Sequence, residues 1–88
     1  MNMNIWGENM SYSINETWEF VKNIEGTFWT REVYEMIQQQ RPDVNKTTFL
    51  ATISEHLRRL TRQGYLRIVS AGYINGAFRH QYEVIYHG

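Results

Sequence analysis

Cysteine is absent from this 88-residue chain, which excludes disulfides and thiolate metal sites. Proline occurs once, at Pro42, so only one point in the chain is forced to break a helix. No apolar run is long enough to span a bilayer, and no basic segment leads into an apolar leader, so a cytoplasmic protein with no membrane association is expected. His56, His80 and His87 do not form a metal-ligand spacing, and no carboxylate pair accompanies them at i,i+3 or i,i+4, so neither a metal nor another cofactor is expected. No Ser-His-Asp ordering, Gly-rich phosphate loop or paired-acid arrangement stands out, and an enzyme is not expected. Net charge is missing too, with nine Lys and Arg against nine Asp and Glu, which taken alone disfavours a nucleic-acid partner.

What is present begins with the distribution of that charge. Residues 1–45 carry three cations against seven carboxylates, and residues 46–88 carry six against two. The positive half contains the stretch from Asn45 to Gly64, NKTTFLATISEHLRRLTRQG. On a helix at about 100° per residue, Phe49, Leu50, Ile53, Leu57 and Leu60 fall on one side. Thr48, Ala51, Thr52, Glu55, Arg58, Arg59 and Arg62 fall on the opposite side. One face suits a core, and the other carries small groups at its start and arginines at its end. Glu55 on the outward stripe can accept from a cytosine amino group or orient Arg59 through an i,i+4 pair.

The length allows one small domain, and the 15% aromatic content supplies the large buried areas that an unstapled fold of this size needs. Residues 1–12 lack Lys and Arg and read as an N-terminal arm, with Ile5 and Trp6 expected to dock on the domain or on a partner. The domain is expected over residues 13–88. Ser13-Ile14-Asn15-Glu16 fits a capping box, followed by Ile14, Trp18, Val21 and Ile24 at helical spacing and ended by Gly26. Thr27-Phe28-Trp29 can add an edge strand. Thr30 is the expected N-cap of a second helix, REVYEMIQQQ, with Val33, Met36 and Ile37 facing inward. Pro42 and Asp43 make a turn, and the long helix follows. YLRIVS and RHQYEVIY then read as strands around the turn signal INGA. A symmetric turn at Asn75-Gly76 would set Ile68 against Glu83, so a bulge or a longer loop is expected.

This order resembles the winged helix-turn-helix family over about residues 13–86. The resemblance rests on Phe28-Trp29-Thr30-Arg31-Glu32-Val33, on Thr52-Ile53-Ser54-Glu55-His56-Leu57-Arg58-Arg59-Leu60, and on Gln63-Gly64-Tyr65-Leu66. The turn from Gln38 to Asn45 departs from the family in being long. The resemblance implies an α+β fold, three helices with a two- to three-stranded antiparallel sheet as the wing. It also implies sequence-specific binding of double-stranded DNA, with the long helix in the major groove and the wing on the flank. Thr47, Thr48, Ala51 and Thr52 are then candidates for base contact, and Lys46, Arg58, Arg59 and Arg62 for phosphate contact. At the wing, Asn75 and Arg79 are the candidates, with Tyr73 and His80 nearby. A transcriptional regulator is implied, working as a homodimer on two half-sites or with a protein partner held through residues 1–25. The alternatives are a protein-protein assembly module, which zero net charge favours, and an origin or recombination-site factor.

Overall fold

The computed structural model describes residues 12–42, 46–74 and 76–88, without the side chains of residues 46–48 and 74. In chain order it contains α1 (Ile14–Val21), β1 (Thr27–Trp29), α2 (Thr30–Gln40), α3 (Lys46–Arg62), β2 (Leu66–Ile74) and β3 (Ala77–Val84). The strands form one antiparallel sheet in the order β1-β3-β2. This is the α+β arrangement expected from the sequence, including the third edge strand, and it is consistent with a winged helix.

Local chemistry sets the helix ends. The Ser13 hydroxyl accepts the Glu16 N–H at 3.3 Å, while the Glu16 carboxylate turns to Arg41 at 3.1 Å. At α2 the cap lies one residue earlier than expected. Trp29 occupies the N-cap, Thr30 is already helical, and Glu32 accepts the Trp29 N–H at 2.8 Å. The indole has no acceptor to return that bond, so Glu32 alone caps this end. Helix α2 also continues through Gln40, which confines the connection to residues 41–45, shorter than the turn expected from Gln38. Helix α3 ends in a Schellman motif. Gly64, at φ +91°, donates to Thr61 O, and Tyr65 donates to Leu60 O.

The core lies between the inner faces of the three helices and one face of the sheet. Val21, Val33, Ile37, Phe49, Ile53, Leu57, Leu60, Leu66 and Tyr82 are buried in it. Tyr12, which the sequence assigned to the end of the arm, is also a core residue and meets Phe49 edge-on at 4.8 Å. Ile5 and Trp6 lie outside the described residues.

Of the two alternatives that the sequence offered, a bulge or a longer loop, the hairpin shows the bulge. From Ile74↔Ala77 to Ser70↔Gln81 the pairing is that of a symmetric turn, and it then shifts between Ile68 and Ser70. With Val69 as the extra residue, Ile68 lies opposite Tyr82 and Leu66 opposite Val84. Arg67 is brought opposite Glu83, where the two form an ion pair at 2.7 Å. One inserted residue thus returns the base of β2 to the core face.

Among the described residues no helix is long and apolar enough to cross a membrane.

Candidate nucleic-acid interface

Core packing of Phe49, Ile53, Leu57 and Leu60 turns the opposite stripe of α3 outward. Ala51, Arg58, Arg59 and Arg62 are exposed on it, and Thr52 and Glu55 are half-buried. Lys46, Thr47 and Thr48 form the first turn of α3, and their side chains lie outside the described set, as does Asn75 at the hairpin.

Glu55 does not pair with Arg59. Its carboxylate takes Arg58 at 2.7 Å and Arg62 at 3.6 Å, one turn and two turns along the same side of the helix. Arg58 donates to Ser54 Oγ as well, at 3.1 Å. The Arg58 hydrogen bond, with the charge of Arg62 behind it, holds the Glu55 carboxyl below the usual range, so it remains ionised at neutral pH. Most cations elsewhere are neutralised in the same way. Lys22 meets Glu19, Arg31 meets Glu35, Arg41 meets Glu16, and Arg67 meets Glu83. Arg59 and Arg79 make no ion pair with another described residue.

Between α3 and the hairpin lies an open cleft of ≈ 440 Å³. Leu50, Ala51, Ser54 and Arg58 line it from the helix, Phe78, Arg79 and His80 from β3, and Thr30 from the start of α2. It brings together three of the residues nominated from sequence, Ala51, Arg58 and Arg79. Arg59 and Arg62 lie on the adjoining outward stripe. The sequence reading passed over Leu50, Ser54, Thr30 and Phe78. Alternation along β3 was the available signal for Phe78, because it shares a face with His80 and the buried Tyr82.

Behind the stripe, α3 is tied to α1 through a polar pair. Thr17 and His56 are both buried, with Thr17 Oγ1 2.7 Å from His56 Nδ1. The Thr17 hydroxyl donates to Tyr12 Oη at 3.1 Å, so the imidazole supplies the proton shared with Thr17. Burial, and then the charge of Arg59, lower the His56 pKa from its ordinary value of 6.5. The folded state therefore resists protonation that the unfolded chain accepts. Stability should be full above about pH 6.5 and fall on acidification through that value until the lowered folded pKa is passed. Urea melts at pH 7.5 and 5.5 check this. The pH 5.5 midpoint is expected to be lower, and His56→Gln, which keeps a donor for Thr17, should narrow the difference.

No group of three His, Asp or Glu side chains among the described residues could hold a metal ion. No family model, curated protein or solved structure matches the chain.

Proposed function

We propose that this protein binds double-stranded DNA through α3 and the β2–β3 hairpin, as a small cytoplasmic transcriptional regulator. The observation that carries the reading is the convergence of Ala51, Arg58 and Arg79 on one cleft, beside an Arg59 and with an Arg79 that have no carboxylate partner among the described residues. Short side chains at Ala51 and Thr52 let the α3 backbone approach base edges or a thymine methyl, while the arginines reach phosphates. The hairpin then grips the flank of the same site. A single helix reads only a short site, so a homodimer on two half-sites supplies the remaining specificity.

The test is selection from a random double-stranded DNA pool, followed by a salt titration of the enriched sequence. A short palindrome and a steep fall in affinity with salt are expected, and no binding at low salt would overturn the proposal. Arg59→Ala should reduce the slope of log K against log salt by about 0.9, the loss of one phosphate contact. Thr52→Ala should instead alter the selected sequence.

A second reading, assembly with another protein, has an observation of its own. Ile85 and Tyr86 are exposed, and the Tyr86 ring lies 6.3 Å from that of Trp18. In that case the pool would yield no DNA, and substitution of Tyr86 rather than Arg59 would break the function.

A further inference from the structure

The aromatic stripe of β3 does not stop where the core stops. Tyr82 is buried and stacks on Phe28 at 6.1 Å, and the next residue outward on that face, His80, lies 6.1 Å from Tyr82. Phe78 follows, edge-on to His80 at 5.3 Å, and meets Tyr73 of β2 at 5.3 Å. At this end of the hairpin the rings leave the protein interior, with Phe78 53% and Tyr73 77% exposed. No core packing accounts for two open rings on a strand face already satisfied by Tyr82 and Val84.

Phe78 and His80 form one wall of the cleft, and the other walls carry different chemistry. Leu50 and Ala51 are apolar, Ser54 and Thr30 bear hydroxyls, and Arg58 brings a guanidinium. A cleft of ≈ 440 Å³ lies within the usual range for small-ligand sites, about 300–1,000 Å³. A flat aromatic ligand with polar edges and an attached anion satisfies all of these groups. Its face takes Phe78, its edge the hydroxyls, and its phosphate the Arg58 guanidinium. A nucleobase on a DNA strand is such a ligand. A base stacked within a duplex cannot present its face, so the occupant must be unpaired.

We infer that the cleft between α3 and the hairpin takes one unpaired nucleobase, stacked on Phe78, from the DNA that α3 contacts. This rests on the DNA-binding reading above and adds a preference to it. The protein favours duplex carrying an extruded base, and Phe78 is the residue that supplies the preference. Stacking on an aromatic side chain tolerates any base, so the preference is independent of which base is extruded.

Three duplexes of one sequence test this by fluorescence anisotropy, one fully paired, one with a single bulged thymidine, and one with a bulged abasic nucleotide. The bulged thymidine is expected to bind about tenfold more tightly than the other two, the scale of one base–aromatic stack. Phe78→Ala should bring the thymidine bulge down to the abasic one. Phe78 is exposed, so its truncation removes little packing, and a thermal melt checks the fold of the variant. Arg59→Ala should weaken all three duplexes alike. Equal affinities for the three duplexes in the wild type, or a preference that survives Phe78→Ala, would overturn the inference while leaving duplex binding intact. Failure to bind any duplex at low salt would overturn both.

Discussion

Replacing Phe49 by alanine should destabilise the protein by about 3–5 kcal/mol, the usual cost of emptying a buried phenylalanine site. The ring is 1% exposed and lies where α3 meets the other helices. It is edge-on to Tyr12 at 4.8 Å and meets Tyr34 of α2 at 6.1 Å. Its loss therefore removes two aromatic contacts as well as the transfer term, and each contact adds about 0.5–1.5 kcal/mol. Small domains hold roughly 5–15 kcal/mol in total, so the variant should melt tens of degrees lower or fail to fold at all. Phe49→Leu preserves most of the volume but loses both ring contacts, and should cost about 1–3 kcal/mol. Urea melts of the three proteins check the ranking. If Phe49→Ala matched Phe49→Leu, emptying the site would cost nothing beyond the two ring contacts that both variants lose.

The same residue shows why much of this fold can be read from the chain. Phe49, Ile53, Leu57 and Leu60 recur at helical spacing, and that repeat alone sets which face of α3 is buried. The bulge was legible for a similar reason. A symmetric turn would have set Ile68 against a carboxylate, so a bulge or a longer loop was needed, and the fold takes the bulge. What could not be read depends on contacts between segments remote in sequence. Thr17 and His56 are 39 residues apart, and each looks polar until the other is seen beside it. The N-cap of α2 was misplaced because Thr30 has the better side chain for the role, whereas the bond that closes the helix comes from Glu32.

The candidate site divides along the same line. Ala51, Arg58, Arg59 and Arg62 follow from one stripe of α3, and Arg79 follows from the turn signal. The cleft is different, because it depends on how the hairpin leans against α3, and no local pattern encodes that angle. Ion-pair choice is another case. Glu55 had Arg58, Arg59 and Arg62 all within reach along the helix, and spacing alone does not choose among them. In the fold it takes Arg58, which lines the cleft, and Arg62 on the adjoining stripe, leaving Arg59 without a carboxylate among the described residues.

That choice yields the second large effect, a pair of opposite changes in DNA affinity. Under the proposed function, Arg59→Ala combined with Arg79→Ala should weaken duplex binding by about 100- to 10,000-fold at low salt, because charge-assisted hydrogen bonds contribute about 1.5–3 kcal/mol each. Glu55→Gln should do the reverse. The carboxylate repels phosphates and engages both Arg58 and Arg62, so its removal deletes one negative charge and releases two cations. Affinity should rise about tenfold at low salt, and the slope of log K against log salt should steepen by about 1–2. Folding is little affected, since ion pairs on an exposed helix face add little net stability. The gain is the more telling half. A loss on truncation can follow from any disturbance of α3, whereas tighter and more salt-sensitive binding requires that the face around Glu55 meet the phosphates. Unchanged binding in Glu55→Gln, with the arginine pair still needed, would move the contact to the Arg59 side of the helix, away from the cleft.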